Sequence, residues 1–121
     1  MRILKADAAQ QIVTGLVYGP PGECDSQGDY AADAATIEKA ARTFMSKYYD
    51  DPRRFNINHK GPLEAWPVLQ SFVTAKSTKI GGKTVPAGCW IMTLKVEDPR
   101  VWKAIAEKKL IGFSIKGEAE T

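Results

Sequence analysis

Apolar and polar positions along the chain alternate with two different periods, and the switches between them mark out the elements. From Asp33 or Thr36 to about Tyr49, Ile37, Ala40, Ala41, Phe44, Met45 and Tyr48 recur at helical spacing and form one stripe. Glu38, Lys39, Arg42 and Lys47 fall on the other side, and Asp50-Asp51-Pro52 ends the helix. The stripe is core packing rather than a cofactor site. A period of two marks Cys89 to Glu97, where Trp90, Met92, Leu94 and Val96 share a face and Thr93 and Lys95 take the other. Gln11 to Tyr18 is rich in β-branched and aromatic residues and predicts the first strand, closed by Gly19-Pro20-Pro21-Gly22.

The remaining elements are shorter. Phe55 to His59 alternates as a brief strand that Gly61-Pro62 should break, and Val68 to Ala75 is the next strand. Gly81-Gly82 marks a turn or loop within Lys76 to Pro86. Asp98-Pro99 opens a second helix, with Asp as N-cap and Pro in its first position. Val101, Trp102 and Ile105 form the apolar side of that helix, which ends near Lys108-Lys109, where cations suit the C-terminal dipole. Gly112 to Gly117 is a final strand. The expectation is an α+β domain: a mostly antiparallel, barrel-like sheet of about five to six strands with two flanking helices.

Composition narrows the class. A chain of 121 residues, 44% apolar and 26% charged, is expected to be a single domain able to bury a core rather than a disordered one. No apolar run reaches the length of a membrane span, and Met1 to Asp7 lacks the apolar stretch of a signal peptide. The chain is therefore read as intracellular. The net charge of +3 is weak and the basic residues are scattered, so nucleic acid is not an expected partner.

Cys24 and Cys89 are the only cysteines, and in an intracellular chain they are read as free thiols rather than a disulfide. With one histidine they make no zinc pattern. Asp25, Ser26 and Asp29 resemble a sparse calcium loop but lack its ligand spacing, and are read as a turn. No metal or organic cofactor is expected.

One imidazole leaves one natural general base near neutral pH: His59, in Asn56-Ile57-Asn58-His59-Lys60-Gly61. By residue type alone, a histidine beside Asn and Lys is most often structural. Ser114, in Gly112-Phe113-Ser114-Ile115, is by itself an ordinary strand serine, with no Gly-x-Ser-x-Gly elbow around it.

Three ordered blocks change that weighting. Ile12 to Tyr18 with Asp25-Ser26-Gln27-Gly28-Asp29-Tyr30 is the first, and the segment around His59 is the second. The third comprises Gly88 to Met92, Val96-Glu97-Asp98-Pro99, Val101-Trp102 and Gly112-Phe113-Ser114-Ile115. As a set, from about Ile12 to Ala119, they resemble the XkdF-like phage serine proteases. That family is similar to the prohead (capsid maturation) proteases of tailed phages and, more widely, to the herpesvirus assemblins in fold.

The resemblance implies a serine endopeptidase that cuts scaffold and major capsid proteins. It would work inside an assembling procapsid in the host bacterial cytoplasm, with Ser114 as nucleophile and His59 as general base. Homo-oligomerisation is compatible with it, and no membrane or nucleic-acid partner is implied. Related sequences carry a Glu-Ser pair in the strand after the histidine, where this chain has Gln70-Ser71. Gln70 can orient a ring but cannot stabilise an imidazolium as a carboxylate does. Glu64 and Asp29 are the alternatives. A non-catalytic capsid- or scaffold-binding module of the same fold is the rival reading.

Overall fold

A computed structural model describes residues 1–19, 34–57, 60–110, 112, 114 and 115, with Ala34, Ile57, Lys60, Gly61, Pro62 and Ser114 described by their backbone alone. In chain order the elements are β1 (Arg2–Asp7), β2 (Ile12–Tyr18), α1 (Ala34–Asp50), β3 (Arg53–Ile57), β4 (Lys60–Ala65) and β5 (Val68–Val73). They continue with β6 (Thr78–Ile80), β7 (Lys83–Val85), β8 (Trp90–Lys95), α2 (Pro99–Ala106) and β9 (Ser114–Ile115). The class is α+β, with two helices and antiparallel strand pairing throughout the described residues.

The strand count and their closure differ from expectation. Nine strands among the described residues form three sheets: β1-β2-β8-β5, β4-β3-β9 and the pair β6-β7. No closed barrel links them there. One isolated bridge, Arg2 to Gly112, joins the edge of the first sheet to the residues that lead into β9. The backbones come very close at that point: a Cβ on Gly112 would stand 2.6 Å from the Met1 carbonyl oxygen, so only glycine fits.

The larger core lies between α1 and the inner faces of the strands. Ile37, Ala41 and Phe44 of the helix meet Val13, Val17, Trp90, Met92 and Leu94, together with Phe55 and Ile115. The helical stripe read from the sequence thus faces the core. The Tyr48 hydroxyl donates to the Trp66 carbonyl at 3.1 Å and accepts from the Val68 amide at 3.2 Å, tying the end of α1 to the β4–β5 connection. The Arg54 guanidinium donates to the carbonyls of Lys47 and Asp51, each at 2.9 Å, and so ties β3 to the end of the helix.

The central strand β8 is buried on both faces, not one. Cys89 and Ile91 meet Leu4, Leu16, Ile80 and Val85 in a second, smaller core. Hairpin β6–β7 builds this core with Ile80 and Val85. Its connection is Gly81-Gly82, with φ of +60° and +80°, the positive values a two-residue hairpin turn requires. Thr93 is also buried; its hydroxyl lies 3.0 Å from that of Thr14 and donates to Oε1 of Gln70 at 3.1 Å.

Two local expectations are corrected. Gly61-Pro62 does not break a strand but lies inside β4, because β4 is a sheet edge and an edge tolerates a residue with no N–H. Arg2–Asp7 is a strand that the sequence did not announce. The second helix matches its expected start: Asp98 accepts from the Arg100 amide at 2.9 Å and Pro99 follows it.

Candidate active site

Ser114 belongs to β9, whose backbone pairs with β3. The register sets Ser114 opposite Asn56 and Ile115 opposite Phe55. Phe55 and Ile115 are both buried, so this pair fixes the strand to the larger core. Glycine at 112 permits the close approach to Met1 that carries the chain from the first sheet into β9. The Gly-Phe-Ser-Ile block therefore has a structural logic of its own: a close-packed glycine, then a short strand anchored by Ile115.

On the other side of β3, Ile57 pairs with Lys60 and Phe55 pairs with Glu64. Asn58 and His59 separate Ile57 from Lys60 in the sequence and lie outside the described residues. The structure thus gives Ser114 a place on the strand bonded to β3, the strand immediately before His59. Asp29 and Cys24 also lie outside the described residues.

The three candidates for an orienting residue are not equivalent in placement. Glu64 is half-buried on β4, which flanks the same β3 that Ser114 flanks from the other side. Gln70 stands on β5, at the edge of the four-stranded sheet, with its side-chain oxygen held by Thr93. The neighbouring Ser71 accepts from the indole N–H of Trp90 at 3.0 Å and so has a packing role.

Sequence reasoning used Asn56 only as part of a block, yet it is a buried polar residue and the register partner of Ser114. An asparagine inside an alternating strand, between Phe55 and Ile57, was the available signal, since buried amides are retained only where they find partners.

Other chemistry recedes. Cys89 is 1% exposed and packed among Leu4, Leu16 and Ile91, where it serves the second core rather than chemistry. No group of three or more His, Cys, Asp or Glu side chains with metal-binding geometry occurs among the described residues. No helix among them is long and apolar enough to cross a membrane. The depressed carboxyls, Asp51 and Asp98, owe their shifts first to hydrogen bonds from Arg53 and Arg100 respectively, so they are local turn and cap contacts.

Two relatives from Bacillus subtilis (strain 168) align with the chain. "Uncharacterized protein YqbD" is 34% identical over 122 residues, covering 100% of this chain and 36% of its own length. "Phage-like element PBSX protein XkdF" is 32% identical over 111 residues, covering 92% of this chain and 38% of its own length. The chain spans little more than a third of each. No solved structure matches it. The family described as "Putative phage serine protease XkdF" matches residues 1–121, the same family that the ordered blocks resemble, and the chain belongs to it.

Proposed function

We propose that the chain is the protease domain of a phage or prophage capsid-maturation endopeptidase, which cuts scaffold and major capsid proteins inside the assembling procapsid in the host cytoplasm. Ser114 attacks the scissile carbonyl. His59 takes its proton and returns it to the leaving amine. The observation that carries this reading is the β3–β9 register, which brings the strand of Ser114 against the strand leading to His59. The reading also makes a demand. Alternate residues of an unbroken strand face opposite ways, and His59 stands three residues beyond the partner of Ser114, so the chain must turn after Ile57 to bring the ring round. The Arg2–Gly112 bridge supports a barrel-like closure through residues 112–115.

Gln70 is the orienting residue on the family resemblance. Glu64 is the alternative that sheet order favours, and Asp29 is a further one. Labelling by a fluorophosphonate, with Ser114→Ala as control, tests the nucleophile directly. His59→Ala should lose labelling as severely, because the pair acts as a unit. Cleavage of a scaffold-derived peptide across pH then separates the third residue. If Gln70 orients the ring, Gln70→Glu raises the rate and shifts the pH profile. If Glu64 does, Glu64→Gln lowers the rate and Gln70→Glu changes nothing.

One observation favours a second reading, a non-catalytic capsid- or scaffold-binding module. The family's expected carboxylate is here an amide, engaged with Thr93. Folded protein with neither labelling nor cleavage would select this module.

A further inference from the structure

Four polar residues are buried among those described: Thr14, Asn56, Thr74 and Thr93. The threonines are absorbed by the framework. The hydroxyls of Thr14 and Thr93 meet at 3.0 Å across β2 and β8, and Thr93 donates on to Gln70. Thr74 donates to the Pro86 carbonyl at 2.8 Å and accepts from the Cys89 amide at 3.0 Å, which closes the connection into β8. Asn56, 9% exposed, is the buried carboxamide of the set, and it stands on β3 opposite Ser114.

Directly opposed residues of an antiparallel pair share a face of the sheet, with Cβ atoms about 4.5–5.5 Å apart. The neighbouring opposed pair, Phe55 and Ile115, is buried in the larger core, so the pair Asn56 and Ser114 takes the other face. Arg54 lies two residues before Asn56 on β3, but its guanidinium is held at the end of α1 by the carbonyls of Lys47 and Asp51. Asn56 is thus the polar side chain that β3 sets opposite the proposed nucleophile.

Building on the protease reading, on which the inference rests, we propose that Asn56 is an oxyanion-hole residue. Its side-chain N–H donates to the oxygen that gains charge when Ser114 attacks. In that step the Oγ–C bond forms, the carbonyl π pair moves onto oxygen and the Oγ proton passes to His59. Collapse re-forms the carbonyl, breaks the C–N bond and gives the proton to the leaving amine. Water then attacks the acyl-enzyme in the same manner, which releases the acid and restores the serine. A carboxamide suits this role because it offers two N–H donors and stays neutral at every working pH. Burial makes such a donor worth more than it would be in water, and a held dipole needs no reorganisation as the charge appears. The carboxamide oxygen could instead orient the histidine ring. The register favours the serine, since Asn56 is directly opposite Ser114, whereas His59 lies three residues further along the chain.

The rate of labelling by a fluorophosphonate tests the role with the full chain. Phosphonylation of Ser114 forms the Oγ–P bond, expels fluoride and builds charge on the phosphoryl oxygen. Varying the probe concentration separates the maximal rate from the half-saturating concentration. Asn56→Leu keeps a similar volume at a buried position and removes the donors. It should lower the maximal rate by about 10²–10³-fold, with the half-saturating concentration and the pH midpoint unchanged. Asn56→Asp keeps the shape, sets a carboxylate where charge develops and should lose at least as much. It carries the test should the leucine variant not fold, and melting curves by circular dichroism establish which variants are folded. Labelling of folded Asn56→Leu at the parent rate would overturn the proposal and leave the protease reading standing. So would a loss divided between the two constants, the mark of disturbed strand packing. So too would an Asn56→Asp protein that keeps or gains rate and moves the pH midpoint upward, as a group orienting the ring would. A parent that takes no label, or Ser114→Ala labelled like the parent, would remove the protease reading and this role with it.

Discussion

Phe44→Ala removes the aromatic centre of the larger core, and its cost follows from the packing. Phe44 is 1% exposed. Its ring centroid lies 5.7 Å from that of Trp90 and 6.1 Å from that of Phe55, both edge-on, and 6.2 Å from that of Tyr48. These neighbours come from α1, β3 and β8, so no single element can shift to fill the cavity. Truncating a buried phenylalanine costs about 3–5 kcal/mol. Aromatic pairs add roughly 0.5–1.5 kcal/mol each beyond their area, which places this site in the upper half of that range.

With 121 residues, an unfolding entropy of about 2.1 cal/mol/K per residue comes to about 0.25 kcal/mol/K, so the melting temperature should fall by about 16–20 °C. Urea unfolding followed by far-UV circular dichroism should show a lower midpoint with an unchanged slope. Leu69→Ala, at a position 50% exposed on β5, is the control and should stay within about 0.5 kcal/mol of the parent. A Phe44→Ala protein within about 1 kcal/mol of the parent would refute the assignment of the helical stripe to a shared core.

Gly82→Ala should cost about 1–2 kcal/mol, the strain of a positive φ alone, because nothing lies within 4 Å of the added carbon. Gly81→Ala should cost distinctly more, since the same strain is joined by collision with the Leu4 carbonyl, and urea melts of the two variants give the comparison. Asp98→Ala removes the N-cap of α2 and should lower stability by about 1 kcal/mol in the same assay, with Asp98→Asn recovering most of the loss. Hydrogen bonds from Arg53 lower the Asp51 carboxyl from 3.8 to about 2. Because the folded state holds this group below its ordinary value, its contribution is full above about pH 4 and is lost as pH falls through about 2. NMR titration should find the low midpoint, and Arg53→Ala should return it toward 3.8.

Elements with their own amphipathic pattern were legible in the sequence, and elements that exist only through contact were not. Helix α1 and strands β2 and β8 announce themselves, as does the Asp98-Pro99 start of α2. Strand β1 did not, because a register shift between Ile3 and Lys5 breaks its alternation. Strands β6 and β7 are three residues each, too short to carry a period, and they hold because Ile80 and Val85 find Leu4, Leu16 and Ile91. The second face of β8 was missed for the converse reason. Cys89 and Ile91 belong to a nearly continuous apolar run that a one-face reading splits, although a strand between two others and buried on both sides should be continuous. Pairing between distant strands leaves no local trace, so neither three sheets nor a barrel follows from the pattern.

The candidate site was legible as an ordered set of blocks and not as geometry. Local alternation says that Ser114 lies on a strand but not which strand lies beside it; only the fold supplies Asn56. The orienting residue shows the difference most clearly. The family resemblance points to position 70, where a carboxylate is the expectation and this chain has an amide. Strand order points elsewhere. The chain reverses between β3 and β4, so Glu64 returns to a place opposite Phe55, next to the residue that pairs with Ser114. Gln70 belongs to another sheet, and its oxygen completes a chain of side-chain contacts through Thr93 to Thr14, across three strands. A glutamate at 70 could accept from Thr93 equally well and would add a charge. Glutamine keeps the structural contact and gives up the electrostatic one. Either residue keeps the Thr93 contact, so the protease reading turns on where negative charge stands relative to His59, and Glu64 is the carboxylate that the register brings beside β3.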